Sequence, residues 1–145
     1  MKRVFAFIPV VIVAVIILLL TLQSAEGTVG LSEGFRNWLV SVCNRFGWDT
    51  FRGWIDSPVA IRRLGHVIEF FLLGVAAAIS VRKKKFALLL CMCISVADQV
   101  IKIYVPGRHF DRTDLGFDAM GYVIGLSMVW IVKQLFIAKH GSHYR

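Results

Sequence analysis

Four apolar blocks organise the chain, the first two separated by a long polar and aromatic stretch and the others by short polar ones. The first runs from Val4 to Leu22 behind Met1-Lys2-Arg3, close to the roughly 20 residues that a helix needs to cross a bilayer. A cleaved signal peptide usually has an apolar region of about 7–15 residues that ends in small residues. Leu22-Gln23-Ser24-Ala25 is a poor cleavage site, so the block is expected to remain as a helix. The others cover about 61–81, 86–105 and 114–137. Ser57 and Pro58 suit the cap and first turn of the second helix, and Pro106-Gly107 ends the third. Between the first two blocks, residues 24–60 are polar and aromatic. Leu31, Phe35, Trp38, Leu39, Val42 and Phe46 recur there at helical spacing, with Arg36 and Asn37 off the stripe. This predicts a short helix lying in the interface, with Trp38, Trp48 and Trp54 at headgroup level. The expected fold is an all-α membrane protein, one domain over 1–145. It has four transmembrane helices (about 4–22, 61–81, 86–105 and 114–137) and an interfacial segment between helices one and two.

Composition supports lipid as the solvent. The chain is 57% hydrophobic with a mean hydropathy of +0.70, against roughly 45–50% apolar in an ordinary soluble domain. Its net charge of +8 flanks the apolar blocks, and no soluble segment carries a basic stripe interleaved with aromatics. Anionic lipid headgroups, not nucleic acid, are the expected partner of that charge. Cys43, Cys91 and Cys93 form no four-ligand zinc pattern, and Cys91 and Cys93 read as buried small hydrophobes. No metal or cofactor is expected. Threading four helices puts Lys2, Arg3, Arg82 to Lys85, Lys133, Lys139 and Arg145 on one side and every acidic residue in the other half. The basic side is the cytoplasmic one by the positive-inside rule, so both termini are expected there.

The charges inside the blocks then fall at one depth, towards the outer side. Arg62, His66 and Glu69 share one face of helix two, and Asp98 and Lys102 form an i,i+4 pair in helix three. Arg63, Arg108, Asp114 and Asp118 join them, with Asp114, Asp118, Gly121 and Gly125 on one stripe of helix four. Ionisable groups within a span cost on the order of 2.5–3.5 kcal/mol at its centre, so they ask for partners or for a function. A purely structural network would pair Glu69 with Lys102 and Asp118 with Arg108.

Two stretches resemble the VanZ-like family, named for a teicoplanin-resistance protein. Arg62-Arg63-Leu64-Gly65-His66-Val67-Ile68-Glu69-Phe70-Phe71-Leu72-Leu73-Gly74 is similar to its basic pair, His, acidic residue, aromatic and Leu-Gly pattern. Asp98, then Val105-Pro106-Gly107-Arg108, Asp114, Asp118, Gly121 and Gly125 resemble its second series. Gln99, Lys102 and Asp118 stand where that series usually has Glu, Gln and Asn, which suggests that Lys102 and Asp118 compensate each other. The resemblance implies a multi-pass protein of the bacterial cytoplasmic membrane with a cell-envelope role and low-level lipoglycopeptide resistance. In the binding reading, Arg62, Arg63, Lys102, Arg108, Asp114 and Asp118 hold a lipid headgroup or a lipid-linked cell-wall intermediate. In the alternative, an intramembrane hydrolase or transferase uses His66, Glu69 or Asp98, with Glu69 orienting His66 and Ser57 or Ser95 as available nucleophiles. A metal held by His66, Glu69, Asp98 and Asp118 is a further version of that alternative.

Overall fold

A computed structural model describes residues 5–141; the described residues form helices joined by turns and short irregular links, with no strand among them. The elements are α1 (Ile8–Thr21), α2 (Ala25–Phe46), α3 (Asp49–Ile55), α4 (Pro58–Ser80), α5 (Lys84–Lys102) and α6 (Arg112–Gly141). Lys2, Arg3, the expected helix start at Val4, and Arg145 lie outside the described residues. α4 and α6 are long and apolar enough to cross a membrane, with mean hydropathies of 1.5 and 1.7. α1 has 14 residues, about 21 Å at 1.5 Å per residue. It meets that standard only together with α2, from which it is bent by 114°. α5 is long enough at 19 residues but carries Lys84 and Lys85 at one end and Asp98 and Lys102 at the other. Two helices therefore qualify as spans, or three if the bent pair counts as one.

The segment expected to hold one short interfacial helix contains two helices. α2 runs for 22 residues from a Ser24 cap, whose hydroxyl accepts the Gly27 N–H at 3.3 Å, to Gly47 at φ 69°. Its apolar stripe divides. Phe35 and Leu39 pack on buried Cys43, Ile55 and Ile61, while Leu31, Trp38 and Phe46 stay exposed.

α4 and α6 cross backbone to backbone. A Cβ on Gly121 would lie 2.5 Å from the Val67 carbonyl oxygen, and one on Gly125 would overlap the Phe71 carbonyl. Gly74 meets the Tyr122 backbone in the same way. Small residues at such a crossing permit the dispersion contacts that hold helices together in lipid, where no hydrophobic force does so. Phe70, Leu73, Ala77, Tyr122 and Leu126 fill the core around it, with Val10 and Ile17 from α1 and Ala87 and Cys91 from α5.

Burial is inverted relative to a water-soluble protein. Asp98, Gln99, Lys102, Asp114 and Asp118 are buried, whereas Ile12, Leu19, Leu72, Leu89, Val96, Ile131 and Leu135 are exposed. That is the distribution lipid demands, because polar groups must be satisfied inside and hydrocarbon costs nothing outside. Cys93 belongs to this exposed face, contrary to its expected burial, while Cys91 lies one turn along the inward stripe of Ala87, Ser95, Asp98 and Lys102. At the opposite end of the bundle from the charges, Lys133 donates to the Ala78 carbonyl at 2.6 Å and Lys84 lies over Trp130.

Candidate functional site

The elements bring the carboxyl ends of α1 and α5 and the amino ends of α4 and α6 together, and their polar side chains form one connected network. Asp114, at the start of α6, accepts from Arg62 at 2.6 Å and lies 3.3 Å from His66 Nε2 and 3.5 Å from Lys102 Nζ. One turn on, Asp118 lies 2.9 Å from His66 Nδ1 and accepts from Ser95 Oγ at 2.8 Å. Carboxylates thus stand at both ring nitrogens of His66: an imidazolium would donate to both, whereas a ring neutral at Nε2 would accept there from Lys102. Lys102 reaches Asp98 at 2.8 Å, its i,i+4 neighbour, and lies 3.2 Å from His66 Nε2. Asp98 also accepts from the Thr21 hydroxyl and from Gln99 Nε2, the latter at 3.2 Å.

The loop after α5 places the remaining arginine. Arg108 N bonds the Val105 carbonyl at 3.1 Å, with Gly107 at φ 76°. This is a turn that needs a left-handed third residue, which Pro106-Gly107 supplies. Arg108 then donates to the carbonyls of Leu20 (3.3 Å) and Thr21 (2.8 Å) and to Thr28 Oγ1 at 2.5 Å. It thereby closes the unsatisfied carbonyl end of α1. Partial burial draws its pKa down from the ordinary value, opposed chiefly by the field of Asp98. In the same loop, the Thr113 hydroxyl and backbone N–H bond Asp111 and hold its carboxyl below the usual range.

Two of the pairings expected from sequence do not form. Lys102 joins Asp98 and Asp114 in place of Glu69, because i,i+4 spacing on α5 already supplies a carboxylate. Arg108 takes neutral oxygens, because its turn points it at the end of α1 and not at Asp118. Lys102 and Asp118 do not touch each other; His66 stands between them. Orientation of His66 falls to Asp114 and Asp118, not to Glu69. Arg63 leaves the cluster altogether and lies over the Phe117 ring at 5.2 Å. Thr21 and Thr28 were not singled out in the sequence, although Thr21 lies near the end of an apolar block at the depth of the other polar groups.

A cavity of about 180 Å³ opens into this cluster, lined by Thr21, Arg62, His66, Glu69, Asp98, Lys102 and Arg108 among others. A wider cavity of about 650 Å³ adjoins it, sharing Thr28, Ser32, Arg62, Lys102 and Arg108 and adding Val29, Pro58, Val59 and Phe110. Glu69 lines the smaller cavity and makes no hydrogen bond or ion pair among the described residues.

Two kinds of chemistry can be weighed on this geometry. Acyl transfer needs a nucleophile bonded to its base, but Ser95 donates to the Asp118 carboxylate and not to His66. Ser57 heads α4 and does not line the cavity. For a metal, donor atoms of His66, Asp98 and Asp118 lie within 4.8 Å of one another. Asp98 is already engaged by Lys102 and Asp118 by His66, so a divalent cation there would have to displace Lys102 from Asp98 and take His66 as the neutral imidazole.

Span-length helices around a buried ion-pair network, opening as a polar cavity at one end, define a helical membrane protein with a polar end site. Its family follows from the comparisons. A family model described as VanZ/LLP1 matches residues 5–133, and the chain belongs to that family. Neither a curated protein nor a solved structure matches it.

Proposed function

We propose that the protein is a single-domain, four-span VanZ-like protein of the bacterial cytoplasmic membrane. Its outward cavity binds a lipid headgroup or a lipid-linked cell-wall molecule and thereby contributes to lipoglycopeptide tolerance. α1, α4, α5 and α6 are the spans. α2 and α3 lie in the interface, with the exposed Trp38, Trp48 and Trp54 as anchors. Lys84 and Lys85, which begin α5, reach the interface along their own stems. The basic turn Arg82 to Lys85 faces the cytoplasm, which sets both termini there and the cavity outside.

One observation carries the binding reading: Arg62 and Arg108 line the same cavity with N–H donors to spare. Each guanidinium has five. Arg62 makes one hydrogen bond and Arg108 makes three among the described residues. Planar guanidinium donors match phosphate and carboxylate oxygens in pairs. The test is teicoplanin susceptibility of a deletion strain carrying wild type, Arg62→Ala, Arg108→Lys or His66→Ala, with folded protein quantified in each. Tolerance from wild type, lost in Arg62→Ala at equal folded level, is the expected result. Full tolerance from all three variants refutes the binding role.

A further inference from the structure

The pairing of charges in the cluster leaves two groups over, and they have opposite signs. Asp98 is matched by Lys102, Asp114 by Arg62, and Asp118 by His66. Arg108 and Glu69 remain. Arg108 bonds only neutral oxygens, and Glu69 bonds nothing among the described residues. Both line the cavity of about 180 Å³. Neither has an opposite charge within ion-pair distance among the described residues; His66 and Lys102 act on Glu69, and Asp98 on Arg108, only through their fields. A purely anionic ligand at Arg108 and Arg62 would stand against the Glu69 carboxylate, and a purely cationic one against Arg108. Groups removed from bulk water in this way are costly unless paired.

We infer that the cavity selects a zwitterionic headgroup, a phosphate ester that carries an N–H-bearing ammonium, as in phosphoethanolamine. This deepens the headgroup reading proposed above and rests on it. The phosphate lies at Arg62 and Arg108, and the ammonium at Glu69. Arg62 and Glu69 lie seven residues apart on one face of α4, about 10 Å of helix rise, and the length of the arginine side chain brings its donors towards the cavity. Glu69 as a carboxylate is acceptor-only, so it asks for N–H donors. A primary ammonium has three, whereas a quaternary choline has none. The adjoining cavity, with Val29, Pro58, Val59 and Phe110 in its wall, takes the less polar part of the molecule beyond the phosphate.

The experiment is native mass spectrometry of the purified full-length protein, titrated with phosphatidylethanolamine, phosphatidylglycerol and phosphatidylcholine of identical acyl chains. Wild type is expected to prefer the ethanolamine lipid by about tenfold or more, the scale of one charge-assisted hydrogen-bonded contact. Glu69→Gln abolishes that preference while retaining the glycerol lipid, and Glu69→Asp restores part of it. Glu69 makes no described hydrogen bond or ion pair, so neither change removes one, and the unfolding midpoint of each variant is measured alongside. Displacement by soluble O-phosphoethanolamine assigns recognition to the headgroup alone; its failure assigns recognition to the intact lipid. Equal or tighter binding of the glycerol lipid by wild type, or an undiminished ethanolamine preference in Glu69→Gln, overturns the inference. Tight phosphatidylglycerol binding that depends on Arg62 would leave the headgroup reading standing without the zwitterion. Binding of none of the three lipids removes both.

Discussion

Changing Lys102 to Gln and Asp118 to Asn, singly and together, tests the charge balance of the network. With His66 as imidazolium, three cations face three carboxylates: Arg62, His66 and Lys102 against Asp98, Asp114 and Asp118. Lys102→Gln removes the ammonium 2.8 Å from Asp98, which keeps the Thr21 and Gln99 donors. Stripping one partner from a buried pair costs about 3–5 kcal/mol, and the retained donors reduce this to about 2–3. Asp118→Asn keeps the shape but takes the charge away from His66 and Ser95, at about 2 kcal/mol. The double change leaves Arg62 and His66 facing Asp98 and Asp114, two against two. Lys102 and Asp118 both contact the His66 ring, at 3.2 and 2.9 Å from its two nitrogens. A favourable coupling of about 1–2 kcal/mol is therefore expected, within the range for residues that share a network. The assay is thermal unfolding of the purified proteins at one scan rate. The double variant should melt about 4 °C above the sum of the single losses. A double variant at or below that sum refutes the account of a shared charge balance.

Other outcomes follow from separate features. Gly125→Leu drives a side chain into the Phe71 carbonyl at the α4–α6 crossing. It should cost about 3 kcal/mol or more, as overpacking does at its upper end, which is read as loss of the monodisperse folded fraction. Cys93 is exposed on a face read as lipid-bathed, so a membrane-impermeant maleimide should leave it unlabelled in intact membranes and label it after denaturation; prompt labelling in membranes contradicts α5 as a span. Asp111→Asn tests the Thr113 turn. Because the folded pKa of Asp111 is lowered, its contribution is complete above the unfolded carboxylate value, about 3.9, and is lost as pH falls through the lower folded value. The difference in unfolding midpoint from wild type should be small at pH 7, given the exposure of the turn, and vanish in stronger acid.

Much of this arrangement was legible in the sequence because lipid simplifies the reading. Long apolar blocks gave α4, α5 and α6 within a few residues, and i,i+4 and i,i+7 spacing placed Arg62, His66 and Glu69 on one face. Alternating sides then brought Asp98, Lys102, Arg108, Asp114 and Asp118 to one end, where the structure has them. Gly121 and Gly125 were readable as a packing stripe because only small residues allow so close a crossing. Partner choice was not readable. Whether Lys102 meets Glu69 or Asp98, and whether Arg63 turns into the cavity or over Phe117, depends on helix rotations of a few tens of degrees that periodicity does not fix. The end of α1 was also hidden. Thr21 reads as one more residue near the end of an apolar run, and its bonds to Asp98 and, through its carbonyl, to Arg108 arise only once α1 is packed.

The most direct test of a functional cavity, as distinct from a network that merely sets helix register, is Glu69→Gln, which touches the cavity and leaves every described pairing intact. Teicoplanin susceptibility of the deletion strain is measured with wild type and with Glu69→Gln, alongside folded level and unfolding midpoint. The account predicts an unchanged level and midpoint and lost tolerance. Full tolerance from Glu69→Gln, in a strain where wild type confers it, would contradict a role for the Glu69 side of the cavity and leave only its arginine side as a binding surface.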